Sequence, residues 1–197
     1  MSASLSGKRL LHVLAVEKMA DRLARLYFEN EDDLALISAA ALLHDNTKEL
    51  SFEEHLELIK HYGADVLPED IESPPTLHAI TGALVIPDRY PEFSDDRVIG
   101  AVKYHTTGRS GMNLYEKIVF LADYIDETRA YPDCVAVRSL FWDADLQSMS
   151  LNERIRHLDL AIISAIDRTL SHLEKEGRTI HPATRAARDA LARGGVI

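Results

Sequence analysis

Apolar residues recur at spacings of three and four along this chain of 197 residues, and this spacing constrains the fold more than any other feature. It is clear over residues 10–28 and 32–45, where it places apolar side chains on one face of an α-helix. The same pattern extends to six further segments: residues 51–62, 75–86, 95–105, 114–126, 150–175 and 182–193. Stretches such as LPED, SPP and IPDRYPEFSDD separate these segments, and convincing strand alternation is absent. The sequence therefore predicts an all-α fold.

Helix starts are marked by capping residues. Ser51 followed by Glu54 matches a capping box, and Ser94 or Asp95 can cap the helix that runs towards His105. The acidic residues 29–33 resemble a cluster that binds a hard metal. Because acidic side chains also favour the positive end of a helix dipole, we interpret this segment as capping.

Length and composition favour a single domain. A chain of 197 residues can build one sizeable core but hardly two full domains. We expect one domain over residues 1–197, with a core at about residues 9–130 and C-terminal helices at about residues 134–193 packed on it. No apolar run approaches the roughly 18 residues of a membrane span, and His12 interrupts the short apolar run near the N-terminus. These features argue against a membrane partner. The lone cysteine, Cys134, fits a reducing cytoplasm.

The charge balance disfavours a nucleic-acid partner. Lys and Arg number 22 against 32 Asp and Glu, which gives a formal net charge of −10. No cluster of five or more basic residues occurs. A small phosphate-bearing ligand stays compatible with this composition if a bound cation supplies much of the compensating charge.

Six polar residues stand where the helical pattern calls for apolar ones: His12, His44, Asp45, His78, His105 and Asp123. Taken singly, each is compatible with a buried side chain that is satisfied by a hydrogen bond. Burial of so many imidazole and carboxylate groups is costly without partners, and a metal ion is a partner for all of them. Histidine and aspartate suit iron, manganese, cobalt or zinc, whereas a thiolate site would need cysteines that the chain lacks.

The same residues carry a resemblance to a known family. His12, LLHD at residues 42–45 and Asp123 in FLADYID resemble the H…HD…D signature of the HD phosphohydrolase superfamily. HDNTKEL, LHAITGA, HTTGRSGM with EKIVFLADYIDETR, and the late RTIHPAT narrow this to the YqeK-type HD proteins, which are described as symmetrical diadenosine tetraphosphate hydrolases. The resemblance spans residue 9 to about residue 185 and implies an HD-domain helical bundle with a metal site in its core.

The resemblance also implies a ligand set and a reaction. It assigns His12, His44, Asp45 and Asp123 to one divalent metal, and His78 and His105 to a second that Asp45 bridges. Iron is the metal that the family implies, with manganese, cobalt or zinc as alternatives and one or two ions bound. In the family's chemistry, hydroxide attacks a phosphorus in the middle of the tetraphosphate and two ADP molecules are released. A homodimer is left open.

Further residues follow from the same resemblance. The catalytic set is Asp45, Lys48, His78, His105 and Arg129. The residues expected to contact the substrate are His12, Lys48, His78, His105, Thr106, Thr107, Gly108, Arg109, Asp123, Arg129, Arg178, Thr179, Ile180 and His181, and the last four are expected to surround adenine as the C-terminal helices close the nucleotide site. On a helix that continued past His44, Lys48 would share its face, although a solvated surface lysine is the competing interpretation. A helix-ending turn is the competing interpretation for residues 106–108.

The chain departs from the family pattern at three positions. Asn46 and Thr47 stand where small or apolar residues are usual, and Asp126 stands for a glutamate. The shorter carboxylate of Asp126 is expected to alter a contact with a ligand or with Arg129.

Two other functions remain open: an HD phosphohydrolase of another nucleotide, such as a nucleoside monophosphate or an alarmone, and a nucleotide-sensing module without turnover.

The remaining histidines and the tryptophan are excluded from the site. His55 and His61 are six residues apart and therefore on different helix faces. His157 and His172 lie among charged neighbours, which is typical of surface positions. Trp142 is more plausible as a core or interface residue than as a surface for base stacking.

Overall fold

The computed structural model describes residues 5–194, and these residues form ten α-helices and two single-turn 3₁₀ helices without a strand. The all-α prediction is confirmed. Residues 1–4 and 195–197, which the predicted domain includes, lie outside the described residues. The helices are α1 Gly7–Ala24, α2 Glu31–Leu43, α3 Phe52–His61, α4 Pro68–Glu72, α5 Leu77–Arg89, α6 Asp96–Tyr104, α7 Leu114–Ile125, α8 Pro132–Trp142, α9 Leu151–Lys175 and α10 Pro182–Ala192, with 3₁₀ turns at Pro74–Thr76 and Pro91–Phe93.

Several helix boundaries differ from the prediction. The LPED stretch contributes to the short helix α4, because Pro68 occupies its first turn, where a missing N–H costs nothing. Helix α5 continues through Pro87 to Arg89, since a proline in the last turn disturbs few hydrogen bonds. Helix α2 ends at Leu43 instead of including His44, and residues 44–49 form consecutive turns.

The predicted helix caps are confirmed. Ser51 and Glu54 form a reciprocal capping box at the start of α3, and Asp95 caps α6 by accepting a hydrogen bond from the Arg97 N–H. In the acidic stretch, Asn30 caps α2 and acidic residues occupy the first turn. These caps fix the starts of helices whose later residues reach the centre of the molecule.

Helix α7 lies at the centre of the apolar core. Nine of its 12 residues are buried, and a helix that is buried on nearly all sides must be covered by others. It packs against α1, α2, α6, α8 and α9, while α8 and α10 pack against α9. The contiguous apolar core includes residues from Val16 in α1 to Leu191 in α10.

One buried ion pair crosses the contact between α7 and α9. Nζ of Lys117 lies 2.7 Å from Oδ1 of Asp159, and both residues are buried. Among residues 5–194, no helix combines the length and the apolar character that a bilayer crossing requires.

Candidate metal centre and flanking cavities

The six predicted ligands converge on one point in the helical core. His12 comes from α1, His44 caps the C-terminus of α2 and Asp45 begins the following turns. His78 lies in the first turn of α5, His105 caps α6, and Asp123 lies near the end of α7. Each ligand except His12 stands at or near a helix end, so the ends of several helices meet at the centre. Ligand atoms of His12, His44 and Asp123 lie within 4.8 Å of one another, as do those of His44, Asp45 and His105.

The histidine rings all direct Nε2 towards this point. Nδ1 of His44, His105 and His78 lies 2.6, 2.7 and 2.9 Å from the carbonyl oxygens of Ala41, Val102 and Pro75. These carbonyls accept a hydrogen bond from Nδ1–H, so the neutral ring keeps its proton on Nδ1 and a lone pair on Nε2. Nδ1 of His12 faces Oδ2 of Asp126 at 3.4 Å. A carbonyl or carboxylate partner on the far nitrogen is the usual arrangement for a histidine that ligates a metal.

Asp45 stands between two groups of these rings. Its Oδ1 lies 3.2 Å from Nε2 of His78 and 3.8 Å from Nε2 of His105. Its Oδ2 lies 3.5 Å from Nε2 of His44 and 3.7 Å from Nε2 of His12. The two oxygens of one carboxylate therefore face two different pairs of histidines.

The donor atoms fit a divalent cation. Nε2 of His44 is buried without a hydrogen-bond partner among residues 5–194, which is a costly arrangement for a lone pair, and Nε2 of His12 lies 3.1 Å from Oδ1 of Asp123. Nε2 of His78 and Nε2 of His105 face each other at 3.0 Å, and two lone pairs at that distance repel unless a cation or a proton lies near them. A divalent ion satisfies these atoms with the nitrogen and oxygen ligands that HD-type metals accept.

Charge states at the centre follow from burial and from neighbouring groups. Burial alone would raise the pKa of Asp45, but hydrogen bonds with His44 and His78 hold it well below its ordinary value. Burial lowers the pKa of His105 to about 3, so this ring is neutral at pH 7 and able to ligate a metal. Burial would also lower the pKa of His12, but hydrogen bonds with Asp123 and Asp126 raise it to about 9. A metal that binds His12 must displace this proton.

Two arginines approach the carboxylates of the centre. Nη1 of Arg9 lies 2.5 Å from Oδ2 of Asp45, and Arg129 forms ion pairs with Asp123 and, at 3.1 Å, with Asp126. Arg129 was predicted for the site, whereas Arg9 was missed. The available signal was its position one turn before His12 on α1.

Lys48 reaches the other side of the centre. Its Nζ lies 3.1 Å from Nε2 of His78, and burial lowers the pKa of its ammonium group. The expected reason for this placement was wrong, because α2 does not continue past His44. Turns bring Lys48 to the centre instead, with its N–H donating to the Asp45 carbonyl at 3.0 Å.

The residues that depart from the family pattern support the ligands. Thr47 donates to the His78 carbonyl at 2.9 Å, and Asn46 donates to the Gly82 carbonyl at 3.2 Å. Both bonds tie the turn after His44 to α5. Asp126 contacts His12, which is a predicted ligand, and Arg129. These are the two contacts that its shorter carboxylate was expected to alter.

Residues 106–109 do not all face the centre. Oγ1 of Thr106 lies 3.4 Å from Nε2 of His105. Gly108 has φ +65°, a value that glycine adopts without strain, and a β-carbon there would lie 3.0 Å from that of Ala187. Arg109 lies elsewhere, with its guanidinium bound to Glu116 at 2.9 Å.

A cavity of about 390 Å³ lies on the His105 side of the centre, and we call it the α10-side cavity. Its lining includes Thr106, Thr107, Arg178, Thr179 and His181. It therefore gathers two predicted segments that are about seventy residues apart. His181 caps α10 and pairs with Asp70 at 2.9 Å, while Ile180 packs against the apolar core.

A second cavity of about 480 Å³ lies on the His12 side, and we call it the α1-side cavity. Lys8, Arg9 and His12 line it from α1, and Arg129 and Tyr131 line it from the segment before α8. No motif in the sequence indicated this cavity.

Two of the excluded histidines have structural partners. Nδ1 of His55 lies 2.8 Å from Oγ1 of Thr81, and Nε2 of His157 lies 3.1 Å from the Phe141 carbonyl. Trp142 packs against the core, with the Arg22 guanidinium 3.6 Å from its ring centre.

Comparisons with known proteins agree with this geometry. The family model described as HD domain matches residues 9–128, a range that contains all six predicted ligands. A Halalkalibacterium halodurans protein named bis(5′-nucleosyl)-tetraphosphatase, symmetrical, is 33% identical over 189 residues, which are 95% of this chain and 90% of the relative. A Bacillus subtilis protein of the same name is 30% identical over 182 residues, which are 91% of this chain and 87% of the relative.

A solved structure has the same fold. The crystal structure of a Clostridium acetobutylicum protein, described as an HD superfamily hydrolase involved in NAD metabolism, matches with a TM-score of 0.80 and 30% identity. The match covers 96% of this chain and 91% of that protein. The similarity therefore extends beyond the residues that the family model covers.

Proposed function

This chain belongs to the HD-domain family, and from this premise we propose that it is a metal-dependent hydrolase that cleaves diadenosine tetraphosphate symmetrically into two ADP molecules. The observation that carries the proposal is the centre itself, where four Nε2 atoms and two carboxylates converge beside Arg9 and Arg129. The choice of substrate rests on the relatives that are named symmetrical tetraphosphatases.

We propose that His12, His44, Asp45 and Asp123 hold one divalent ion, and that His78 and His105 hold a second that Asp45 bridges. Support comes from Asp45, whose two oxygens face the two histidine pairs. Iron is our first assignment because the family resemblance implies it, and manganese, cobalt and zinc are alternatives that accept the same nitrogen and oxygen ligands. When bound, divalent metal acidifies water and withdraws charge from phosphate oxygens.

The overall reaction adds water across the central bond of the tetraphosphate. The water oxygen joins one central phosphorus, the central P–O–P bond breaks, and each product keeps two phosphates while a proton passes to solvent. The protein must hold the chain in line for this displacement and neutralise the charge that develops on the leaving diphosphate. Arg9 and Arg129 are placed for that role, because each already contacts a carboxylate of the centre.

Other residues position the substrate. Lys48 lies beside His78, where its charge can meet a phosphate oxygen of the chain. Thr106 and Thr107 offer hydroxyl groups to the α10-side cavity, and Arg178, Thr179 and His181 line it further on. We place one adenosine diphosphate half of the substrate there. Gly108 follows the two threonines and is buried against Ala187, so we assign it the shaping of their turn. Ile180 and Arg109 do not line this cavity. Ile180 supports it by packing against the apolar core, and Arg109 supports it through its ion pair with Glu116.

We also propose a cytoplasmic location, which the buried and unpaired thiol of Cys134 supports.

The test is a product assay. Purified protein is loaded with iron or manganese, incubated with diadenosine tetraphosphate, and the nucleotides are separated by chromatography. We expect ADP alone, no turnover with a chelator, and loss of turnover in Asp123→Asn but not in His172→Gln, whose ring lies at the surface. Equal amounts of AMP and ATP would contradict central cleavage. Full activity in the chelator would contradict the metal requirement, and faster turnover of a nucleoside monophosphate or an alarmone would contradict the substrate.

A further inference from the structure

We propose that the α1-side cavity binds the second nucleoside diphosphate half of the substrate, with Lys8, Arg9 and Arg129 on its phosphates and Tyr131 against its base. This inference rests on the proposed function, since it divides one symmetrical substrate between two subsites. It assigns a role to a cavity that no sequence motif indicates.

The two cavities lie on different sides of Asp45. The α10-side cavity adjoins the centre at Thr106, which neighbours His105 on the Oδ1 side of Asp45. The α1-side cavity contains His12 and Arg9, which face Oδ2 of the same carboxylate. The two cavities have no lining residue in common. A chain of phosphates that crosses the centre therefore has one cavity at each end.

Central cleavage requires such an arrangement. When the middle bond of a symmetrical tetraphosphate breaks, an identical nucleoside diphosphate stands on each side of it. Cavities of about 390 and 480 Å³ are both within the range of small-molecule sites. A further cavity of about 550 Å³ adjoins Thr107 and His181 on the α10 side, whereas the α1-side cavity lies across Asp45 from the half that the α10-side cavity holds.

The charge of the α1-side cavity suits a diphosphate. Lys8, Arg9 and Arg129 line it, in a chain whose formal net charge is −10. The acidic residue of its lining, Glu49, accepts hydrogen bonds from the N–H of Ser6 at 2.9 Å and from its hydroxyl. Arg9 and Arg129 pair with carboxylates of the centre, so an anion can recruit their guanidinium groups when a divalent ion occupies those carboxylates. Guanidinium groups match phosphate oxygens in geometry.

The same cavity has the side chains that a base needs. Tyr131 is 69% exposed and Leu11 is 67% exposed, which makes them the most exposed of the large hydrophobic side chains in residues 5–194. Both line this cavity. Tyr131 is the N-cap residue of α8 and directly precedes Pro132, which fixes the position of its backbone. An exposed aromatic ring beside three cations is the combination on which a nucleobase stacks while its phosphates are bound.

The test separates KM from kcat and counts bound product. We expect Tyr131→Ala to raise the KM for diadenosine tetraphosphate about tenfold with a smaller change in kcat, as the loss of one base stack predicts. Tyr131→Phe should restore most of that affinity, since it keeps the ring. Lys18→Ala removes an exposed lysine from the same helix and is the matched control. Titration calorimetry on metal-loaded protein should find two ADP sites per chain, and one in the Lys8→Ala/Tyr131→Ala double variant.

The outcomes distinguish this inference from the proposed function. A single ADP site in the wild-type chain, or two sites kept in the double variant, would overturn the second subsite even if the wild type hydrolyses the substrate. A KM for Tyr131→Phe as high as that for Tyr131→Ala would overturn the stacking role. Two ADP sites of which the double variant loses one would support the subsite even if the wild type released no ADP, and in that case only the reaction would be wrong.

Discussion

Removal of the metal should lower the thermal stability of the protein, and the centre allows the size of the effect to be worked out. Nε2 of His44 is buried and has no hydrogen-bond partner among residues 5–194. An unsatisfied buried polar atom costs about 1–3 kcal/mol, so a metal that satisfies it relieves about 1–3 kcal/mol. A ligand at 100 times its Kd stabilises by about 2.7 kcal/mol, which is within this range.

The expected shift in melting temperature follows from the chain length. A change of 1 kcal/mol moves the Tm of a domain this size by about 2–4 °C, so metal loading should raise Tm by roughly 5–11 °C relative to protein in a chelator. The assay is thermal unfolding followed by circular dichroism, with manganese or with chelator. His44→Gln should abolish most of the shift because it removes an Nε2 ligand.

The control and the contrary result are both clear. His172→Gln alters a histidine whose side chain is 61% exposed and should leave the shift unchanged. If the wild type melted at the same temperature in manganese and in chelator, and retained no metal after gel filtration, the cluster would be a hydrogen-bonded core and the metal assignment would be wrong.

Three further predictions concern residues around the centre. Asp159→Ala should lower the free energy of unfolding in urea by about 3–5 kcal/mol, because it leaves the Lys117 ammonium buried without its partner. The double variant Lys117→Met/Asp159→Leu should recover most of the loss. A loss below about 1 kcal/mol in the single variant would refute the role of the pair. Burial and the nearby His78 lower the pKa of His55, so the unfolded chain takes up a proton near pH 6.5 that the folded protein resists. The stability contributed by His55 is present above about pH 6.5 and is lost as pH falls. His55→Gln should therefore reduce the slope of the unfolding free energy against pH, below about pH 6.5, by up to about 1.4 kcal/mol per pH unit. An unchanged slope would contradict this role of His55. Arg129→Ala should lower kcat by about 100-fold or more in steady-state assays, since it removes a cation from the developing phosphate charge, and a fall of less than about tenfold would exclude that role.

The residues of the candidate metal centre could be predicted from the sequence because each is a local anomaly. His44 and Asp123 are polar residues within apolar runs, and that contrast is visible without knowledge of any contact. The helix α8 was not among the predicted segments for the opposite reason. Cys134, Val137 and Phe141 are buried at helical spacing, but the exposed Val135 and Leu140 obscure the apolar face.

The residues that surround the metal could not be predicted in the same way. Arg9 is an ordinary basic residue near the start of an amphipathic helix, and only the fold brings it to Asp45, 36 residues later. The α1-side cavity joins the start of α1 to Tyr131, a residue that looks in sequence like part of a loop. Such sites arise from the packing of distant segments, which the periodicity of one segment does not contain.

The ion pairs at the centre connect metal binding with phosphate binding. Asp45 and Asp123 are each contacted by an arginine and by histidine nitrogens at the same carboxylate oxygen. A divalent ion on these oxygens supplies the positive charge that the arginines otherwise provide, so Arg9 and Arg129 become available to anions at the mouth of the α1-side cavity. Phosphates in that cavity in turn satisfy the guanidinium groups that the metal has displaced. By thermodynamic linkage, each ligand then strengthens the binding of the other by the same factor. We therefore expect the arginines beside the centre to act in substrate binding as well as in the ion pairs.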